Sequence, residues 1–284
     1  LARTLPAWVN DSLPVNAAWL RTIQAEATLW LRVRPGRAKA LSQVLGHTRT
    51  CPLLDALAYG GEEDLFRRPE FHAGDFEIQD VASQAVGVLC AAKPGETWWD
   101  ACAGEGGKTL HLSAQMQGKG MIWASDRAEW RLKKLKQRTA RAKCFNYRAI
   151  LWGGGAKLPT KTRFDGVLLD APCSGLGTWQ RNPHARWTST PEDVRELATV
   201  QTQLLNHVAP SVKPGGKLIY SVCTLTRAET EGVAAMFQAA HPEFTPLPMP
   251  NPFQTHKPPQ PQQCLWPQGT GGGGMFIAGW RRSG

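Results

Sequence analysis

From residue 97 to the end, the chain alternates short apolar stretches with longer amphipathic ones. "TWWD", "GMIWASD", "RAILW", "FDGVLLD", "KLIYSVC" and "MFIAGW" are brief, rich in aliphatic and aromatic residues, and bounded by charged or turn-forming residues. They read as strands of a sheet buried on both faces. Between or just ahead of them lie stretches with helical spacing: about 80 to 92, 107 to 117, "RAEWRLKKLKQRTARA", about 191 to 210 and about 227 to 240. Strands separated by helices of this length need crossover connections, which predicts a doubly wound, mostly parallel α/β sheet. Ligands of such sheets sit outside the carboxyl ends of the strands.

Residues 1–74 break that rhythm and read as a small α+β unit, with 75–284 as the main domain. "PVNAAWLRTI" has helical spacing, "TLWLRVR" alternates like a strand, and "PGRAKALSQVLG" is a second helix closed by a glycine. The basic segment "RVRPGR" could lie against phosphates or form the solvated edge of a packing unit. "HKPPQPQQ" and the run Gly271 to Gly274 read as loops.

Composition narrows the class. With 284 residues, 42% hydrophobic and 20% charged, the chain can build one large domain with a small partner unit. Thirty-three Lys and Arg against 23 Asp and Glu leave a net charge of +10, which favours a polyanionic partner. The seven cysteines contain no C-x-x-C pair, so no structural zinc site or disulfide framework is expected and a reducing, cytoplasmic compartment fits. No apolar run approaches the roughly 20 residues of a membrane span, and the N-terminus lacks the charged-then-apolar pattern of a secretory signal.

Candidate chemistry gathers at the strand ends. "WWDACAGEGGKT" ends a strand at Asp100, continues through Gly104, Gly106 and Gly107, and opens a helix. Glycines there let a cofactor approach the backbone. A nucleoside triphosphate loop would need glycine five positions before Gly107, where Cys102 stands. Asp126 closes the next strand and could accept hydrogen bonds from both hydroxyls of an adenosine ribose. The pattern suits a nicotinamide cofactor or S-adenosylmethionine; glycines that merely close a tight turn are the plain alternative.

Two further strands end in thiols, Cys173 in "LLDAPCSG" and Cys223 in "YSVCTL". A lone cysteine is most often a small buried hydrophobe. Two at strand ends, one beside Asp170, suggest a shared crevice. A thiolate there can add to carbon 6 of a pyrimidine, which makes carbon 5 nucleophilic enough to take a methyl group. An ordinary thiol has a pKa of about 8.5, so ionising it at pH 7 costs about 2 kcal/mol unless a helix N-terminus or a cation offsets it. Asp170 would hydrogen-bond or protonate the ring at nitrogen 3.

These motifs resemble the Fmu/Sun family of RNA cytosine methyltransferases, along nearly the whole chain. The resemblance is carried by "LWLRVR", "FEIQDVASQAVG", "DACAGEGGKT", "DRAEWRLKKL", "LLDAPCSGLGTWQRNPHARW", "KPGGKLIYSVCTL" and "GMFIAGW". It implies a Rossmann-like class I methyltransferase domain that uses S-adenosylmethionine and no metal. It implies Cys223 as the nucleophile and Cys173 as the group that assists breakdown of the adduct. It places Cys102, Ala103, Gly104, Glu105, Gly106, Gly107 and Lys108 around the methionine end of the donor. Asp126 holds its ribose, Arg131 is a further candidate, and Asp170 lies near donor and base.

Several positions depart from the family pattern. Gly104-Glu105 replaces Ala/Ser-Pro before the paired glycines, and Gly153 stands where relatives carry an acid near the adenine. His184 replaces the Asp of Arg-x-Pro-Asp, "GGMF" replaces "DGFF", and "RVR" replaces Arg-Val-Asn. The resulting expectation is a monomeric RNA cytosine-5 methyltransferase, acting on ribosomal RNA ahead of transfer RNA. The alternative is an RNA-binding or ribosome-assembly protein with the same fold and weakened or lost catalysis.

Overall fold

The computed structural model describes residues 4–53 and 55–284. Twelve strands are seen among them: β1 Leu29–Val33, β2 Thr48–Thr50, β3 Ala56–Tyr59, β4 Phe76–Ile78, β5 Thr97–Asp100, β6 Met121–Asp126, β7 Tyr147–Leu151, β8 Phe164–Asp170, β9 Val212–Val222, β10 Phe244–Pro246, β11 Gln262–Leu265 and β12 Met275–Arg282.

The last eight form the main sheet in the order β10-β12-β9-β8-β5-β6-β7, with β11 also pairing β12. Strands β5 to β9 pair in parallel, as predicted; β10, β11 and β12 pair antiparallel. After β5 the chain runs outward through β6 and β7, then returns to place β8 on the other side of β5. That reversal opens a crevice at the carboxyl ends of β5 and β8.

The sheet divides the core in two. Successive strand residues point to opposite faces, so the adjacent Trp98 and Trp99 of β5 enter different clusters. Val167, Leu169, Leu218, Tyr220 and Phe276 join Trp99 beneath the helices Pro191–Val208 and Val233–Ala240. Leu168, Ile219 and Ile277 join Trp98 beneath Val81–Cys90 and Gly107–Gln115. Helix Pro191–Val208 starts with a capping box in which Thr190 and Asp193 satisfy each other's backbone N–H, and with Pro191 at its first position. It ends two residues short of the span read from sequence. The helix expected from about 227 begins as a π turn, Ala228–Gly232.

The small antiparallel sheet runs β2-β3-β1-β4. Only β1 is legible in the sequence, because β2, β3 and β4 have three or four residues each. β4 lies just past residue 74 yet pairs with β1. Helix Ala17–Thr22 and the turn before it do not join this sheet. They pack Leu13, Trp19 and Ile23 against Leu176, Trp179 and Leu225, residues that follow the two thiols in sequence. Trp19 stacks on Trp179 at 6.4 Å and meets Trp266 edge-on at 6.2 Å.

Because Trp19 is fully buried in this aromatic cluster, Trp19→Ala is expected to cost about 3–5 kcal/mol of folding stability. Urea unfolding followed by circular dichroism checks this, and an unchanged midpoint would show that the N-terminal segment does not support the fold.

Candidate functional site

The glycine loop is shaped by its own backbone. Gly106 caps helix Gly107–Gln115 in the left-handed region, at φ 86°, and a Cβ there would sit 2.7 Å from Leu135 Cγ. The Ala103 N–H donates to Ser125 O at 2.8 Å, and the Gly106 N–H to Ala103 O at 2.9 Å. Asp126 is buried at the end of β6; its Oδ2 accepts from the Gly104 N–H at 3.0 Å and its Oδ1 from the Ala128 N–H at 2.8 Å. Each oxygen keeps a second acceptor site. Arg131 reaches Asp126 only loosely, at 3.9 Å, and the Glu105 carboxylate turns to Lys134 at 3.0 Å.

Lys108 takes a position that the sequence did not show. Its Nζ donates to Asp170 Oδ2 at 2.7 Å and to Ser83 Oγ at 3.0 Å, so its side chain joins the glycine loop to β8. Burial works against its charge, yet Asp170 outweighs this and raises the Lys108 pKa above its ordinary value. Ser221 Oγ donates to the other oxygen of Asp170 at 2.7 Å.

The thiols of Cys173 and Cys223 lie 3.3 Å apart. The contact makes them unequal. Cys223 falls below its ordinary pKa because Cys173 donates a hydrogen bond to it; burial and Asp170 oppose this, while Lys108 and Arg181 assist. Cys173 rises well above its ordinary value, through that same hydrogen bond and burial. Cys102 is also raised by burial and stays a thiol.

Sequence reading missed Glu229, a buried carboxylate on the π turn. Its Oε1 accepts from the Ser174 N–H at 2.8 Å and from Gln201 Nε2 at 3.0 Å. Its Oε2 accepts from Ser174 Oγ, from Thr226 Oγ1 at 2.8 Å and from Thr224 Oγ1 at 3.3 Å. It therefore clamps the loops after both thiols. The available signal was an acid six residues after Cys223, at the start of an otherwise apolar helix.

The structure thus brings Asp170, Lys108, Cys173 and Cys223 into one cluster, with the glycine loop and Asp126 alongside. Gly153 stands apart, exposed in the loop after β7 with nothing within 4 Å of a Cβ built on it. His184 lies on an exposed turn before the short helix Ala185–Thr188. Among the described residues no cluster of three or more His, Cys, Asp or Glu could hold a metal, and no helix is long and apolar enough to cross a membrane.

A doubly wound sheet closed by an antiparallel β12, with a glycine loop and strand-end acids at its crevice, defines a Rossmann-like class I methyltransferase fold. NSun6 from Pyrococcus horikoshii, crystallised with SFG, an S-adenosylmethionine analogue, shares this fold with a TM-score of 0.80 at 18% identity, over 94% of each chain. The crystal structure of PH0851 matches with a TM-score of 0.90 at 28% identity, over 98% of this chain and 66% of that one. The family model "16S rRNA methyltransferase RsmB/F" matches residues 88–281, and the chain belongs to that family. Ribosomal RNA small subunit methyltransferase B of Thermus thermophilus is 40% identical over 190 residues, 66% of this chain and 45% of that protein. The chain spans about half the length of the curated relatives it matches.

Two outcomes are expected. Alkylation by iodoacetamide should show one thiol reacting with a pKa below the ordinary value, lost in Cys223→Ser and moved upward in Cys173→Ala, which removes the hydrogen-bond donor. A profile that ignores both substitutions would mean the two sulfurs do not interact in solution. The second concerns Asp100, whose pKa burial pushes up from 3.8 to about 7, against a 2.7 Å hydrogen bond from Thr109 Oγ1. Between those values the folded chain holds a proton that the unfolded chain has released, so folding stability falls as pH rises through that window. Asp100→Asn should remove this fall, and parallel urea midpoints for both proteins across the window would refute it.

Proposed function

We propose that this chain is the methyltransferase part of an RNA (cytosine-5-)-methyltransferase that takes its methyl group from S-adenosylmethionine and acts on ribosomal RNA. The observation that carries the reading is the pair of thiols 3.3 Å apart beside the Lys108–Asp170 ion pair. Family membership and the small-subunit ribosomal RNA methyltransferase among its relatives support the RNA substrate. The domain division at about residue 74, with the small unit helping to hold RNA, belongs to the same proposal.

The residues fit the donor. A Cβ built on Gly104 meets nothing within 4 Å, so the loop leaves open space above its backbone. Asp126 offers acceptors for ribose hydroxyls. When bound, S-adenosylmethionine supplies an electrophilic methyl group. Cys102 to Lys108 line its methionine end, with Arg131 at the rim of the Asp126 pocket.

The protein's part in the reaction then follows. Cys223, ionised more readily than its neighbour, adds to carbon 6 of the cytosine and forms a C–S bond. Asp170 passes a proton to nitrogen 3 as negative charge builds on the ring, and the Lys108 ammonium that donates to its Oδ2 at 2.7 Å is the source of that proton. After carbon 5 is methylated, water in the crevice takes the carbon 5 proton, and the electrons of that C–H bond restore the C5–C6 double bond. The C–S bond breaks with its electron pair leaving on Cys223 as thiolate, and nitrogen 3 returns its proton to Asp170. Cys173, the thiol with the raised pKa, assists this release. The cytosine must leave its stack to reach the crevice, and basic surface holds the flanking phosphates.

One observation favours the second reading, an RNA-binding protein with lost catalysis: the exposed Gly153 offers no acid toward an adenine. Calorimetry with S-adenosylmethionine separates the two.

Mixed with total RNA and tritiated S-adenosylmethionine, wild-type protein should transfer label. Cys223→Ala should drop to background, and Cys173→Ala should accumulate an RNA complex that survives denaturation. Sequencing the trapped RNA names the target, ribosomal or transfer. The methyltransferase reading fails if no label moves and neither protein traps RNA.

A further inference from the structure

Away from the thiols, a cavity of about 810 Å³ lies beside the contact between the small sheet and the main domain. β1 and β4 form one wall, and helices Val81–Cys90 and Gly107–Gln115 form the other. Phe76, Val88 and Leu110 make it largely apolar. Two polar side chains in its lining lack partners. Arg32 is 9% exposed and its Nη1 makes no hydrogen bond; His111 Nδ1 makes none either, but it is packed against Gly87, where a Cβ would lie 2.2 Å from it, so only the rest of the ring faces the cavity.

Cations outnumber acids around Arg32. Its cross-strand neighbour Glu77 supports its charge but is shared with Arg138 at 2.9 Å and Arg141 at 2.6 Å, and Asp55 and Lys143 add one charge of each sign to the lining. Burial lowers the Arg32 pKa only to about 10, so the guanidinium stays charged. Burial, Arg32 and Lys108 hold His111 well below its ordinary pKa, so its ring is neutral and can donate or accept.

A buried guanidinium without a hydrogen-bond acceptor of its own is costly unless an anion meets it, and its planar fork suits phosphate. The volume lies within the range that small-ligand pockets occupy. We propose that this cavity is a second binding site, for a nucleotide, with its phosphate on Arg32 and its nucleoside along the apolar wall beside His111. The choice of nucleotide over other organic phosphates rests on the RNA reading above; the phosphate could belong to a free nucleotide or to an unstacked residue of single-stranded RNA. Helix Gly107–Gln115 carries the glycine loop at one end and lines this cavity with the other.

Calorimetry on the full chain, with saturating S-adenosylhomocysteine to occupy the donor site, tests the site with each nucleoside 5′-monophosphate and with inorganic phosphate. At least one nucleotide should bind more tightly than phosphate. Arg32→Met, which keeps the bulk and removes the charge, should weaken that binding by about tenfold or more. Ala114→Met, which fills the cavity from its wall, should weaken it as well, and both variants should melt no lower than wild type. A short single-stranded RNA that displaces the nucleotide assigns the site to RNA; failure to displace it assigns the site to the free nucleotide. The proposal is overturned if no nucleotide outbinds phosphate, if the donor product competes with the nucleotide, or if both variants bind it as wild type does. Arg32-dependent binding in a protein that methylates no RNA would sink the methyltransferase reading and leave this site standing.

Discussion

The buried carboxylate of Glu229 is the interaction on which the thiol pair depends. Leaving a carboxylate without water is costly unless several donors replace it. Here Ser174 supplies two, and Gln201, Thr224 and Thr226 supply the others. Each hydrogen bond to a charged group is worth about 1.5–3 kcal/mol, enough to hold the loops after β8 and β9 in one register. Gln201 also donates to Pro172 O at 2.9 Å and accepts from Tyr220 OH at 3.0 Å, which extends the clamp into helix Pro191–Val208. The 3.3 Å sulfur separation is therefore set by tertiary polar contacts, since neither loop alone has any reason to keep it.

Support from outside comes through two kinds of contact. The N-terminal aromatic cluster covers Leu176 and Leu225 with apolar surface, and the Arg227 N–H donates to Ser12 O at 2.9 Å. The small sheet packs Trp30, Ala56 and Ala58 on helix Val81–Cys90 and adds polar ties: Trp30 Nε1 to Gly271 O at 2.8 Å, and Glu77 to Arg138 and Arg141. Much of the charge on helix Glu129–Arg141 is thereby spent inside the molecule. A sequence reader sees that helix as a basic strip, while Lys134, Arg138 and Arg141 are in fact paired with Glu105 and Glu77.

The main sheet was legible because a strand buried on both faces must be largely apolar, as β5, β6, β8, the second half of β9 and most of β12 are, while β7 is half-exposed. The crevice was legible because strand ends in a doubly wound sheet carry the ligands, which put Asp126, Asp170, Cys173 and Cys223 on one side before any coordinates. Short strands such as β2 carry too few residues for a period to show. Glu229 and the turn of Lys108 toward Asp170 depend on residues 55 and 62 positions away, and no local pattern encodes such convergence. Arg32 was read within a basic segment that could lie against phosphates or form a solvated edge; its burial follows from pairing with β3 and β4, neither of which the sequence revealed.

Asp100 and Arg32 show how incompletely paired buried charges can have different consequences. Asp100 Oδ1 has no partner, but a carboxyl group can take a proton, and burial raises its pKa to about 7 so that neutralisation is within reach at ordinary pH. The cost of its burial then appears as a pH dependence of folding. A guanidinium has no such exit: with a pKa still at about 10, it remains a cation in an apolar cavity. Folding tolerates that charge through the shared Glu77 carboxylate and through space beside it that water or an anion can enter. The open volume beside Arg32 thus meets part of that need, and the apolar walls around it select what kind of anion gains most from entering.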